Sequence, residues 1–201
     1  GTGNDTLVGG RGNDTYVLDV SSDVVTELAN EGTDTVKAGF TYTLSANLEN
    51  LTLTGTTAAN GTGNAAANVL TGNSANNVLD GAAGNDVYVI GAGGGQDTIQ
   101  EATADASAGK MNVLRFGTGV NSANAILSRV GSDLVVTFSG STDKVTVKSF
   151  YLNNTSSNTS NPVQRIEFVD GDISWDLATI DQKVSAAAVI NGTSGADTLT
   201  G

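Results

Sequence analysis

The 201-residue sequence has no cysteine, no histidine, one proline and one methionine. Without cysteine it cannot form disulfides or thiolate metal sites, and without histidine the commonest general base and transition-metal ligand is missing. No window approaches 18 consecutive apolar residues, which excludes a spanning helix. The first ten residues have neither the basic start nor the apolar run of a signal peptide, and the chain does not begin with Met, so it reads as an excised fragment. Basic residues are scarce: nine Lys and Arg stand against 21 Asp and Glu, a net charge of -12. Such a chain repels a phosphate backbone, so nucleic acid is not its partner. The acidity is concentrated early, with 13 acidic and 2 basic residues in 1–109 against seven of each in 110–183. Gly-x-Ser-x-Gly and phosphate-loop patterns are absent. Glu167 with Asp172 could mimic a glycosidase pair, but their place beside an Asp170-Gly171 turn explains them without chemistry, and the chain is expected not to be an enzyme.

What is plentiful is glycine, 26 residues, and much of it recurs at a fixed period. Gly3-Asn4-Asp5-Thr6-Leu7 is followed nine residues later by Gly12-Asn13-Asp14-Thr15-Tyr16. The period returns at Asn68-Val69-Leu70, Asn77-Val78-Leu79 and Asp86-Val87-Tyr88, with Gly63, Gly72, Gly81 and Gly84 opening the turns. A unit with one turn and one short strand cannot bury its apolar side chain alone, so units must stack. Two units make a coil of eighteen, which places Asp5 above Asp23 and Asn68 above Asp86.

Gly9-Gly10-Arg11-Gly12-Asn13-Asp14-Thr15-Tyr16-Val17 resembles a full repeat of the RTX, or haemolysin-type calcium-binding, family, whose pattern is Gly-Gly-x-Gly-x-Asp-x-apolar-x. The unit from Gly81 differs at Ala82 in place of the second glycine, the unit from Gly192 likewise at Thr193, and the pair at 63–79 has Asn for Asp. The stretch from Gly84 through Trp175 is similar to the haemolysin-type calcium-binding related domain that often follows such repeats in large bacterial secreted proteins.

The resemblance implies calcium held between stacked loops, with an Asp from each. Calcium takes six to eight oxygens from carboxylates and main-chain carbonyls, and glycines let a turn aim its carbonyls inward. The implied pairs are Asp5 with Asp23, Asp14 with the Gly32–Asp34 turn, and Asn77 with Asp97. The full ligand set is Gly1, Gly3, Asp5, Gly10, Gly12, Asp14, Asp23, Gly32, Asp34, Asn77, Gly81, Gly84, Asp86, Gly95, Asp97, Gly195 and Asp197. Without an ion, such turns are ordinary corners; the argument against that is the repulsion of unneutralised carboxylates stacked in register. Asn68 and Asn77 can close their coils by hydrogen bonds alone. Asp23-Val24-Val25-Thr26-Glu27 matches Asp97-Thr98-Ile99-Gln100-Glu101, so Glu27 and Glu101 are either extra ligands or strand ends. Asp19, Asp80 and Asp105 lack the spacing and are expected on the solvated surface.

Residues 35–56 alternate as strands and continue the coil; two or three threonines there do not make an ice-binding array. Strands are expected at 113–116, 125–130, 134–138, 144–150, 165–169 and 173–175, with two-residue hairpin turns at Gly131-Ser132 and Asp170-Gly171. Six of the ten aromatics, Phe116, Phe138, Phe150, Tyr151, Phe168 and Trp175, fall in this half, as core rather than as a carbohydrate platform. Residues 177–184 form one or two helical turns.

The expected fold is all-β: a calcium-binding parallel β-roll or β-solenoid at 1–109, an antiparallel β unit packed at its end at 110–183, and a linker with a new repeat at 184–201. The expected function is a calcium-folded structural module of a large secreted bacterial surface protein, of adhesin or matrix type, outside the cell. The rival is the calcium-dependent export and folding domain of a secreted enzyme or toxin. A third reading is end-to-end self-assembly, because Asp197 restarts the repeat. Family members usually leave through a type I secretion system. Calcium, other copies, and carbohydrate or cell-surface ligands met through neighbouring domains are the expected partners, with affinity for calcium of roughly 10⁻⁴ to 10⁻³ M as in extracellular modules.

Overall fold

Side chains along a strand point alternately to its two faces, and the short apolar words of this sequence obey that rule. In Thr15–Leu18 the buried residues are Tyr16 and Leu18; in Asn50–Leu53, Leu51 and Leu53; in Val87–Ile90, Tyr88 and Ile90. Three or four residues cannot support a sheet alone, so stability comes from stacking. The computed structural model describes residues 1–101, 105, 109–158 and 161–187.

In chain order the strands are β1 (Thr6–Val8), β2 (Thr15–Leu18), β3 (Val24–Thr26), β4 (Thr35–Ala38), β5 (Tyr42–Thr43), β6 (Asn50–Leu53), β7 (Gly61–Thr62), β8 (Val69–Thr71), β9 (Val78–Asp80), β10 (Val87–Ile90), β11 (Gln96–Gln100), β12 (Val113–Phe116), β13 (Ala125–Val130), β14 (Asp133–Phe138), β15 (Lys144–Val147), β16 (Arg165–Phe168) and β17 (Ile173–Asp176). Helix α1 (Leu177–Ala187) follows. The described residues are thus all-β apart from one short helix and two 3₁₀ turns. One sheet runs β2-β4-β6-β8-β10-β12-β16-β17, the other β5-β7-β9-β11-β15-β14-β13, and β1 pairs with β3. Up to β12 the chain changes sheet with every strand, and each strand in a sheet pairs parallel with the one two before it.

The stacked inward residues Tyr16, Val36, Leu51, Leu70, Tyr88, Leu114 and Ile166 stand in register along the first sheet, and all are buried. Leu79, Ile99 and Val147 do the same in the second. These rows form one core.

The second half departs from the expected antiparallel unit. β12, β15 and β16 pair parallel with β10, β11 and β12, so both sheets run through residue 110. Among the described residues, antiparallel pairing is confined to β13-β14-β15 and β16-β17. The reason is that Leu114 and Phe116 keep the inward spacing of Tyr88 and Ile90. Gly131-Ser132 is a two-residue turn, since Val130 faces Asp133 and Gly131 takes φ 63°. The other hairpin is wider than a two-residue turn: Phe168 faces Ile173, and Gly171 and Asp172 both have positive φ. α1 is longer than expected, and the Asp176 carboxylate caps it by accepting the Thr179 N–H at 2.9 Å. Phe116 stacks on Phe168, Phe138 meets Phe116 edge-on, and Phe168 tilts against Trp175. Phe116, Phe150, Tyr151, Phe168 and Trp175 are buried, as core residues should be.

Candidate metal centre

Asp5, Asp14 and Asp86 stand directly before their strands and Asp97 is the second residue of its own, each at the end of a glycine turn. Two positions before the Asp, Gly3, Gly12, Gly84 and Gly95 have φ of 126°, 128°, 117° and 87°, a conformation that L side chains rarely adopt. At the start of the turn the demand is for space. A Cβ on Gly81 would lie 2.2 Å from Asp86 Oδ2, and one on Gly9 would lie 2.4 Å from Asp14 Oδ2. The carboxylate fills the room that the missing side chain leaves.

Stacking sets these residues in two ladders. On one side the Asp14 N–H donates to Asp34 Oδ1 at 2.8 Å and the Asp34 N–H to Glu49 Oε2 at 2.8 Å. Further along, Asn68 N–H donates to Asp86 Oδ1, Asp86 N–H to Asn112 Oδ1 and Asn112 N–H to Gln164 Oε1. On the other side the Asp5 N–H donates to Asp23 Oδ1 at 3.0 Å and the Asn77 N–H to Asp97 Oδ1 at 2.9 Å. The steps between partners are 18 residues for Asp5–Asp23 and Asn68–Asp86, 20 for Asp14–Asp34 and Asn77–Asp97, and 26 for Asp86–Asn112. The structure therefore sets all three sequence-derived pairs side by side, and Asp86 beside Asn68.

In Asp86 and Asp97 one carboxylate oxygen tethers the neighbouring coil and the other is left over. Asp14 Oδ2, Glu27 Oε2, Asp86 Oδ2 and Asp97 Oδ2 are buried without a hydrogen-bond partner among the described residues. Carboxylate oxygens of Asp14, Glu27 and Asp34 lie within 4.8 Å of one another, as do those of Asp5, Asp19 and Asp23. Burial pushes the Asp86 and Asp97 carboxyls up to about 7, because charge in a low-dielectric interior is costly. Glu27 is raised by burial first and then by the charges of Asp34 and Glu31. Asp23 is lowered, chiefly by the Asp5 backbone N–H. Buried, unpartnered carboxylate oxygens in close groups are what a hard cation takes as ligands, so the residues fit calcium.

Several expected ligands stand differently. The Gly1 ammonium lies 3.3 Å from Asp5 Oδ2. Gly10 contributes a φ of 78°, and Gly32 packs so tightly that a Cβ would sit 1.7 Å from the Gly12 carbonyl oxygen. Asn77 is engaged within the protein: Oδ1 accepts the Asn73 N–H and Nδ2 donates to the Ala59 carbonyl. Asn68 is held likewise by Asn64 and Leu48, so these two coils close by hydrogen bonds. Gly195 and Asp197 lie outside the described residues.

The expectation for Asp80 and Asp105 is corrected: both are 7 % exposed. Asp80 Oδ1 accepts the Ala82 N–H, and Asp105 Oδ2 the Gly84 N–H. Asp19 is exposed as expected but joins Asp5 and Asp23. Glu49, Asn112 and Gln164 enter a ladder although no nonapeptide precedes them; their only sequence signal is a polar residue shortly before an inward apolar one. Glu167, the would-be catalytic acid, is paired with Arg115 and Arg165.

The description RTX calcium-binding nonapeptide repeat (4 copies) matches residues 1–25, 62–99 and 186–201, and Haemolysin-type calcium binding protein related domain matches 133–179. The chain is similar to Endo-1,3-1,4-beta-glycanase ExsH of Rhizobium meliloti (strain 1021), 46% identical over 67 residues, which is 33% of this chain and 14% of that protein. It is also similar to Iron-regulated protein FrpA of Neisseria meningitidis serogroup C, 31% identical over 112 residues, 56% of this chain and 9% of that protein. The chain spans about a seventh or less of the relatives it matches. No helix among the described residues is long and apolar enough to cross a membrane. With its glycine turns and stacked carboxylates, the chain carries RTX calcium-binding nonapeptide repeats, a repeat family whose ion is Ca²⁺, together with a haemolysin-type calcium binding protein related domain.

Proposed function

We propose that the chain is a structural module of a large secreted bacterial protein of adhesin or matrix type, a β-roll whose coils are ordered by extracellular calcium. The observation that carries this reading is the pair of carboxylate ladders with buried oxygens left without partners. Asp5 with Asp23 and Asp14 with Asp34 hold ions between coils. Asp86 and Asp97 supply single carboxylates beside Asn68 and Asn77, where the amides already close the stack. Residues 1–109 form the repeat-bearing part of the roll, β12, β15 and β16 extend its sheets, and the hairpins with α1 close its end. Calcium neutralises the ladders, so the module is loose where calcium is scarce and rigid outside the cell. The chain itself performs no chemistry.

A second reading is favoured by the relative named as a glycanase: the module aids export and folding of a secreted enzyme whose catalytic part lies elsewhere. End-to-end association through Asp197 rests on residues outside the described ones. Isothermal titration with calcium tests the common core of both readings. Binding with dissociation constants of about 10⁻⁴ to 10⁻³ M, lost in Asp14→Asn with Asp23→Asn, is expected; a flat titration of the unaltered chain refutes it.

A further inference from the structure

The first coils and the later ones contain the same frame twice. Gly9, Asp14, Tyr16, Asp23 and Glu27 correspond to Gly81, Asp86, Tyr88, Asp97 and Glu101. In each copy the Glu stands one step beyond the last paired residues, Val8 with Thr26 and Asp80 with Gln100, which sets Glu27 beside Gly9 and Glu101 beside Gly81. In each, the Asp N–H donates to the residue that follows it in the ladder, Asp34 in the first copy and Asn112 in the second.

The copies differ in charge. In the first, the third member is the carboxylate of Asp34, and Gly32 stands two residues before it. In the second, the third member is the neutral Asn112, and Lys110 stands two residues before it. Lys110 Nζ lies 2.7 and 2.6 Å from the two oxygens of Glu101 and 3.1 Å from the Asp105 carbonyl, in an ion pair whose side chains are 5 % and 3 % exposed. Among the described residues no Lys or Arg pairs with Asp14, Glu27 or Asp34. Glu27 is 5 % exposed, its Oε1 accepts the Tyr16 hydroxyl, and its Oε2 is unpartnered. Its carboxylate is within 4.8 Å of those of Asp14 and Asp34. A buried carboxylate left beside two others is strongly unfavourable without a cation.

We infer that Glu27 is a calcium ligand completing a site with Asp14 and Asp34, and that Lys110 takes the cation's place at the corresponding Glu101. The Glu of one frame depends on calcium, and the Glu of its copy has a built-in counter-ion. This rests on the calcium reading above but goes beyond the repeat: Glu27 and Asp34 lie outside the matched residues 1–25.

The test is calcium titration calorimetry on the full 201-residue chain and its Glu27→Gln and Lys110→Met variants, with thermal melting of each in chelator and in calcium. For Glu27→Gln the expected result is at least a tenfold weakening of one site, with a higher melting temperature in chelator, because an uncompensated buried charge is gone. A Glu27 that only supports the fold would lower melting in both conditions, and an unchanged titration would exclude it as a ligand; either overturns the inference. Lys110→Met exposes Glu101 to solution cations and is expected to add one calcium to the stoichiometry; a folded variant without the added ion refutes the role of Lys110, and one unfolded at every calcium concentration does the same. If the unaltered chain takes up no calcium, the calcium reading itself falls. A bound ion indifferent to Glu27→Gln but lost in Asp14→Asn leaves that reading standing and removes Glu27.

Discussion

The Asp14 backbone N–H donates to the Asp34 carboxylate at 2.8 Å across one turn of the coil. Asp34 Oδ1 ties the neighbouring coil, and the charge of the same carboxylate is what is proposed to meet the ion, so substitution can separate the two roles. Asp34→Asn keeps an acceptor for the Asp14 N–H but removes the charge; Asp34→Ala removes both. In chelator, Asp34→Asn is expected to melt no lower than the unaltered chain, whereas Asp34→Ala loses about 1.5–3 kcal/mol, the range for a hydrogen bond to a charged group. Both are expected to lose most of their calcium response. Denaturant melts with and without calcium distinguish the effects.

The raised carboxyls of Asp86 and Asp97 predict an inverted pH dependence without calcium. Their folded-state values of about 7 exceed the unfolded value of roughly 3.9, so the folded chain binds more protons between these limits. Their contribution to stability in chelator is fully present below about pH 4 and is lost as the pH rises through about 7. Calcium takes the deprotonated form, so its stabilising effect grows over the same window. Melting temperature against pH from 5 to 8, in chelator and in calcium, should show curves of opposite slope, and Asp86→Asn should flatten the chelator curve.

Ala82 stands where the repeat pattern has its second glycine, yet it keeps the glycine's backbone, with φ 65°. A left-handed conformation costs a non-glycine residue roughly 1–2 kcal/mol. Ala82→Gly should therefore raise stability by up to about 1 kcal/mol, part of the gain being offset by unfolded-chain entropy. Thermal melting would register this as an upward shift of about 2–4 °C; a downward shift would show that the turn is relaxed with alanine.

Phe168 stacks on Phe116 at 5.0 Å between ring centres and meets Trp175 at 4.6 Å. Phe168→Ala is expected to cost about 3–5 kcal/mol by the same amount with and without calcium, because this packing holds no carboxylate ladder. Paired urea titrations measure both numbers. A loss seen only in chelator would mean that the end unit is itself ordered through calcium.

The repeat of nine made the strand order of the first half legible, because Leu7, Tyr16, Leu70, Leu79 and Tyr88 carry the inward position and the glycines mark the corners. The coil of eighteen set Asp5 above Asp23 and Asn68 above Asp86, whereas Asp14 with Asp34 and Asn77 with Asp97, twenty apart, came from the family resemblance. Three things did not follow. Asp80 and Asp105 looked like solvated acids, but Asp80 closes a turn on Ala82 and Asp105 reaches the Gly84 turn; burial of a polar residue outside a repeat depends on contacts distant in sequence. The parallel pairing of β12, β15 and β16 was hidden because Asp86 and Asn112 are 26 residues apart and Asn112 and Gln164 are 52 apart, and insertions of that size erase a period. The partners of Glu27 and Glu101 were invisible because Lys110 and Gly32 differ in charge at places that only the register makes equivalent.

The central claim is that calcium, not packing alone, orders the ladders, and far-UV circular dichroism with thermal melting tests it most directly. The same chain is measured in chelator and across a calcium titration to about 10 mM, above the weak range of extracellular sites, with magnesium as the control cation. The predicted result is a rise in β signal and melting temperature with calcium, little response to magnesium, and loss of the rise in Asp14→Ala with Asp86→Ala. Identical spectra and melting in chelator and calcium would contradict it and leave a solenoid held by hydrogen bonds and apolar stacking alone.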